Sequence, residues 1–383
     1  MLCIPVLLLG GTEMQVLSTV RVLVAADYAV TVCCYYEIDE DVVKLMENSG
    51  ATVVLLRLKR DGPNYGLNDM FALVKTIVAT IRHYRPDIVH IQYLAPGLLP
   101  ILGARLARVK VVFSTVHIAG SSAYGRRHKF LLRIAARLCT AFFCVSRGVE
   151  EFWFGTSELL RPGSLHGRRH WTIYNGVDTD SIKNATLLAN RRRIIGELEL
   201  VGENVLGIVG RLAPQKGHVV LLDALVEVVR HFPNAVLVVV GEGAEKLALQ
   251  DRAHHLGVGK HIRWLGAKAH NEVWELYSVM NVLAMPSLFE GFGLTAVEAM
   301  AAGIPVVGSK VEGLKEIIDH GVTGYLVPAG DSAALAEAIR RLLSNPAEAR
   351  RMGERGQGRA ERLFSLDRFS KSILYAYQKW GRG

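Results

Sequence analysis

No apolar run in this chain of 383 residues reaches the ~20 residues that a membrane-spanning helix needs. The apolar stretch from Met1 to Leu9 has no basic residue ahead of it and ends at Gly10-Gly11-Thr12, so it reads as a buried first strand rather than a signal peptide. Cysteine is sparse. Cys3, Cys33, Cys34, Cys139 and Cys144 are odd in number, carry no metal-ligand spacing and mostly lie in apolar segments, which leaves buried thiols in a reducing cytoplasm. Low-complexity tracts and short repeats are missing. The pattern Gly-x-Gly-x-x-Gly does not follow the first strand, and no acidic residue is cleanly placed at the end of the second, which argues against an NAD enzyme. No acidic cluster resembles a magnesium site either, so no metal and no cofactor is expected.

What remains is a globular chain, 50% hydrophobic and 21% charged, with enough core for two domains. Its formal charge of +9 is local in the first half. Between Arg126 and His170 nine Lys or Arg stand against three acids, whereas the residues before Arg126 are nearly balanced. Arg126, Lys129, Arg133 and Arg137 recur every three or four residues, with Arg127 beside them, while Leu131, Ile134, Ala135, Leu138 and Phe142 follow the opposite stripe. That is an amphipathic helix with a cationic face. It is either a solvated surface helix or a face for anionic lipid headgroups or a phosphorylated acceptor. Nucleic acid is not expected, because no aromatic residues interleave with the charges as stacking platforms.

Short apolar strands alternate with helical segments in two series. The first runs Val6 to Leu9, Val30 to Tyr35, Thr52 to Leu56, Ile88 to Gln92, Val111 to Thr115, Phe142 to Val145 and Trp171 to Ile173. The second runs Val205 to Val209, Ala235 to Val240, Ile262 to Leu265, Val282 to Met285, Val306 to Gly308 and Tyr325 to Val327. Alternation of this kind predicts an α/β protein with two doubly wound parallel sheets. Asn175-Gly176-Val177-Asp178 and the polar stretch to Arg193 read as a turn and linker. The expected domains are 1–180 and 194–365. Helices from Ser332 to Leu343, Pro346 to Leu363 and Leu366 to Trp380 close the chain.

Doubly wound sheets bind ligands at the carboxyl ends of their strands, so the loops there matter most. The richest is Phe289-Glu290-Gly291-Phe292-Gly293-Leu294-Thr295, leading into a helix that carries Glu298 on its first turn. Glycine lets a ligand approach the backbone closely, and the free N–H groups of a helix start suit phosphate. Glu290 and Glu298 would repel phosphate and serve better as acceptors for hydroxyls. A ligand with both features is a nucleotide sugar. Gly210-Arg211 through Lys216-Gly217 follows the first strand of the second series and places two cations at the crevice rim, suited to a diphosphate. Gly241-Glu242-Gly243 adds another glycine rim. In the first series Gly10-Gly11 turns into a helix, and His117 follows a strand and faces an interdomain cleft.

Taken together, these motifs, with Gly303-Ile304-Pro305-Val306-Val307 and Gly321-x-x-Gly324, resemble the family 4 retaining glycosyltransferases, also described as glycosyl transferases group 1. The resemblance covers essentially the whole chain and is strongest from Gly210 to Asp331. It implies the GT-B fold, two Rossmann-like domains facing an interdomain cleft, with the last helix, 366–383, crossing back onto the first domain. It implies that Glu290 contacts hydroxyls of the donor sugar, with Phe292, Gly293 and Leu294 offering backbone N–H groups and Thr295 beside them. Glu298 would hold the ribose. Arg211 and Lys216 would bind the diphosphate, Gly11 would approach it from the other domain, and His117 would sit near the transferred sugar. The sequence departs from the family pattern at Glu312, where a glycine often stands.

The implied reaction is metal-independent transfer of a hexose-type sugar with retention. The donor is a UDP-sugar or GDP-sugar and the acceptor a glycan or lipid-linked chain in polysaccharide or cell-envelope biosynthesis. The place is the cytoplasm or, as a peripheral protein, the inner face of its membrane. Two other readings stay open, a nucleotide-sugar epimerase of the same architecture and a non-catalytic sugar-nucleotide-binding protein. The segments Arg57 to Asn68 and Gly120 to Lys129, expected to shape the acceptor side, carry no pattern beyond positive charge.

Overall fold

The computed structural model describes residues 1–59, 66–93, 97–118, 125–164, 167–200 and 204–381, with Leu67 described in its backbone alone. The chain forms two compact units, Met1–Gly176 with Leu366–Gly383, and Val177–Ser365. In the first, β1 (Leu2–Ile4), α1 (Gly11–Ala25), β2 (Thr31–Cys34), α2 (Glu40–Asn48) and β3 (Thr52–Leu55) alternate from the start. They are followed by α3 (Leu67–Tyr84), β4 (Ile88–Tyr93), α4 (Leu98–Leu106), β5 (Val111–Val116), α5 (Arg126–Leu138), β6 (Ala141–Cys144), α6 (Arg147–Phe154) and β7 (His170–Thr172). The strands pair in parallel, in the order β3-β2-β1-β4-β5-β6-β7. Parallel strands need helical crossovers, and helices on both faces bury each strand twice, which is why β6 reads as an apolar run.

The second unit opens with α7 (Thr179–Leu188), α8 (Arg191–Glu197), β8 (Val205–Val209), α9 (His218–His231), β9 (Val236–Val240), α10 (Lys246–His255) and β10 (Ile262–Trp264). Next come α11 (His270–Tyr277), β11 (Val282–Met285), α12 (Leu294–Ala301), β12 (Val306–Ser309), α13 (Glu312–Ile317), β13 (Gly324–Val327), α14 (Ser332–Ser344) and α15 (Pro346–Phe364). Its parallel sheet has the order β10-β9-β8-β11-β12-β13. The final helix, α16 (Leu366–Gly381), belongs to the first unit. There Phe369, Ile373 and Tyr377 join Val16, Leu17, Phe113 and Trp171 in one core. The Tyr377 hydroxyl bonds His90 Nδ1 at 2.9 Å, and Trp380 packs 5.0 Å from Trp171.

Three expectations need correction. The first strand is Leu2–Ile4, not Val6 to Leu9, because Pro5 has no N–H to give a ladder, and beyond it only a single bridge forms, between Leu7 and Ile38. The stretch read as a linker up to Arg193 holds α7 and the start of α8. Asp178 caps α7 by accepting from the Ser181 amide at 3.0 Å, and Asn190 caps α8 by accepting from the Arg193 amide at 3.0 Å. In α5 the buried stripe is Leu132, Ala135 and Ala136, while Leu131 is 47% exposed. Of the two segments expected to shape the acceptor side, residues 60–65 and 120–124 lie outside the described residues.

Candidate donor site

In the second unit the chain winds outward from β8 through β9 to β10, then crosses back to lay β11 on the other side of β8. The loops after β8 and β11 therefore meet at the point where winding reverses, the ordinary ligand position of such sheets. They are joined by backbone, the Leu288 amide donating to the Gln215 carbonyl at 2.8 Å. Side chains join them too. Lys216 Nζ lies 2.7 Å from Glu290 Oε2, which also accepts from the Ser287 hydroxyl at 3.3 Å. Arg211, on the same loop as Lys216, is exposed, and its guanidinium makes no ion pair or hydrogen bond among the described residues. Gly241, after β9, packs backbone against backbone: a Cβ there would stand 2.0 Å from the Gly210 carbonyl oxygen.

Gly293 has φ +105, and a Cβ would meet Leu314 Cδ2 at 2.7 Å, so both conformation and space call for glycine. Its left-handed turn starts α12, whose first amides, on Leu294 and Thr295, have no intrahelical carbonyl to bond. Phe292 is buried, edge-on to Phe364 at 5.5 Å, and so anchors the loop by its ring. Because α12 begins at Leu294, Glu298 lies in its second turn rather than its first. Glu298 Oε2 accepts from the Tyr277 hydroxyl at 3.2 Å. Burial raises the Glu298 carboxyl above its ordinary range, against the opposing pull of His270 and of that hydrogen bond.

In the first unit Gly10 leads into α1 and Gly11 is its exposed first residue. His117 stands just after β5, its Nε2 2.7 Å from Gln92 Oε1. Beside it is a cavity with about 20 Å³ of water-accessible space, lined by His90, Gln92, His117, Gln15 and Asn175 among others. Burial pushes His117 down to about 4 and His90 to about 3. His90 Nε2 bonds the Thr115 hydroxyl at 2.7 Å.

Residues 9–181 match the family model for glycosyltransferase family 4, and residues 190–359 match that for glycosyl transferases group 1. A glycogen synthase of Mycobacterium tuberculosis is 31% identical over 318 residues, 80% of this chain and 72% of its own. The chain belongs to the family 4 glycosyltransferases. A phosphatidyl-myo-inositol mannosyltransferase of Mycobacterium leprae is 40% identical over 174 residues, 45% of this chain. The match spans 44% of that relative, so this family 4 chain covers under half of its length. Among solved structures, HepE of Anabaena in complex with UDP and glucose superposes with a TM-score of 0.81 at 22% identity, covering 98% of each chain. The fold is GT-B, each unit a Rossmann-like parallel sheet.

Within this family 4 chain the second unit carries Gly210, Arg211, Lys216, Gly241, Glu290, Phe292, Gly293, Leu294, Thr295 and Glu298, all but Glu298 on or beside loops after strands, whereas Gly11 and His117 belong to the first unit. Sequence reasoning missed three supports: Ser287, Tyr277 and Gln92. Gln92 left a trace, since His90 and Gln92 are buried polar residues two apart in an otherwise apolar strand. Among the described residues no group of three or more His, Cys, Asp or Glu is placed to hold a metal, and no helix is long and apolar enough to cross a membrane.

Proposed function

We propose that this chain transfers a hexose-type sugar from a nucleotide diphosphate to an acceptor hydroxyl, with retention and without a metal ion. The observation that carries this reading is the contact of Lys216 with Glu290, a cation and a hydroxyl acceptor held together where two strand-end loops meet. Breaking the anomeric bond leaves negative charge on the departing diphosphate and positive character on the sugar. Whatever neutralises the first speeds the reaction. Lys216, Arg211 and the amides of Leu294 and Thr295 supply that neutralisation. A diphosphate competes with Glu290 for Lys216, which releases Glu290 toward sugar hydroxyls. Glu298 takes the ribose hydroxyls, Gly210 and Gly241 allow close approach, Gly11 adds a glycine contact to phosphate, and His117 meets the transferred sugar.

A UDP-sugar is favoured because HepE, of the same fold, was crystallised with UDP and with UDP-glucose. For the acceptor we favour a glycan or lipid-linked chain made at the inner membrane face, on the strength of the exposed arginines of α5. The test is a hydrolysis and thermal-shift screen of UDP-, GDP- and ADP-sugars. Stabilisation and slow hydrolysis with one of them are expected. No shift with any would overturn the donor assignment, and donor turnover to an altered free sugar without acceptor would point to an epimerase.

A further inference from the structure

We propose that Gln92 is a positioning residue that holds His117 as a neutral imidazole with its hydrogen on Nε2, leaving the Nδ1 lone pair to accept from a sugar hydroxyl. A carboxamide oxygen only accepts, so the 2.7 Å contact with Gln92 Oε1 requires Nε2 of His117 to be the donor. A neutral ring then has a bare Nδ1, and Nδ1 has no protein partner among the described residues. Gln92 is itself only 4% exposed and rides on β4, whose neighbour β5 delivers His117, so both ends of the contact stand on the sheet.

The surroundings of Gln92 add no charge. Of the side chains lining the adjoining cavity only His90 and His117 titrate; Gln15 and Thr19 come from α1, Thr115 from β5, Asn175 from beyond β7, and α16 offers only Phe369 and Ile373. His90 is held by Tyr377 and Thr115. The carboxylate of Glu13, further up α1, lies against Gly10. Gln15 is 4% exposed, yet neither its Oε1 nor its Nε2 has a partner. The cavity has room for about one water. Elsewhere in the unit the chain uses an acid for the same purpose: His170 Nδ1 meets Glu150 Oε1 at 2.6 Å. An amide in place of the acid gives orientation without favouring the imidazolium. That suits a sugar whose ring gains positive character as the diphosphate leaves, because a cationic ring beside it would oppose the reaction.

The proposal rests on the glycosyl-transfer reading only in naming a sugar hydroxyl as the partner of Nδ1. Its first test needs no substrate: long-range proton–nitrogen spectra of the full chain labelled at histidine. His117 is expected as the Nε2–H tautomer at pH 7, titrating well below the ordinary histidine value. Gln92→Glu should raise its midpoint by about one unit or more, and the near-isosteric Gln92→Met should lose the tautomer preference. An Nδ1–H ring in the unmutated protein, or a midpoint at the ordinary histidine value, overturns the assignment whatever the variants do. The second test uses the donor identified by the screen. Gln92→Glu should move the acid limb of the transfer profile upward by the shift seen in the spectra, and Gln92→Met should lower kcat about tenfold with donor KM within about twofold. If the spectra agree but neither variant changes turnover by an otherwise active enzyme, the sugar contact is wrong while glycosyl transfer stands.

Discussion

Lys216 Nζ and Glu290 Oε2 lie 2.7 Å apart, with the two side chains only 23% and 15% exposed, so a shielded ion pair ties the loop after β8 to the loop after β11. On the proposed reading, a diphosphate takes the lysine from the glutamate. Lys216→Ala should cut kcat about 100-fold with donor saturating, the ~3 kcal/mol typical of one lost charge-stabilising group. Glu290→Gln should do the opposite to binding: free nucleoside diphosphate binds more tightly, because Lys216 is no longer held, while sugar transfer falls. Titration calorimetry with UDP beside steady-state kinetics separates the two effects. Weaker UDP binding by Glu290→Gln would mean that the pair does not gate the phosphate site.

The second carboxylate is tied to Tyr277, whose hydroxyl donates to Glu298 Oε2. Removing that donor with Tyr277→Phe should weaken a ribonucleoside diphosphate by about 1 kcal/mol, roughly fivefold, and its 2′-deoxy analogue less. Equal losses for both ligands would detach Glu298 from the ribose.

Glu298 also sets a pH dependence of stability. Burial raises its carboxyl above the ordinary 4.5, so the folded protein holds that proton more firmly than the unfolded chain. The resulting penalty is absent below the unfolded value and grows as the pH climbs through the folded one. Glu298→Gln should therefore raise the melting temperature of the ligand-free protein at pH 8 and leave it nearly unchanged at pH 4. A uniform shift at both pH values would show a packing effect instead.

Acid should weaken the first unit through its buried histidines. With His90 pushed down to about 3 and His117 to about 4 from an ordinary 6.5, the unfolded chain takes up protons below 6.5 that the folded unit refuses until near 4. Stability from these residues is complete above pH 6.5 and declines between 6.5 and 4. The slope for each approaches about 1.4 kcal/mol per pH unit. Urea unfolding at pH 7 and pH 5 should show the loss, and His90→Gln should remove about half of it; equal stability at both pH values would contradict the burial of these rings.

What the sequence made legible follows from how far apart the cooperating residues are. Apolar runs such as Val282 to Met285 define strands locally, because burial on both faces leaves no polar positions to blur them. The glycine loops were readable for the same reason, each being a contiguous motif. Lys216 and Glu290 are separated by 74 positions, Gln92 and His117 by 25, and Tyr277 and Glu298 by 21, so their pairing is set by sheet order rather than by any local pattern. The misplaced first strand and the helices inside the expected linker were local signals passed over: a proline that ends a ladder, and Asp178 and Asn190 as caps.

The cationic helix α5 presents Arg126, Arg127, Arg133 and Arg137 to solvent together with Phe130, 64% exposed, and Leu131. Lys129 differs, since its Nζ lies 3.9 Å over the Phe152 ring, and Arg133 Nε donates to the Trp153 carbonyl at 3.1 Å, so both serve the packing of α6. Exposed arginines beside exposed apolar side chains fit an anionic bilayer, where each basic residue contributes about 1 kcal/mol and the rings enter the interface. Replacing Arg126, Arg127 and Arg137 by Gln should weaken binding to vesicles containing phosphatidylglycerol roughly 100-fold in co-sedimentation, while leaving the fold and donor hydrolysis intact. Added salt should weaken the unmutated protein in the same direction, because exposed charges are screened over ~10 Å at 0.1 M. Phe130→Ser should lower affinity at any salt concentration. Equal binding to neutral and anionic vesicles, or full binding by the triple variant, would leave α5 a solvated surface helix and return the acceptor to a soluble glycan.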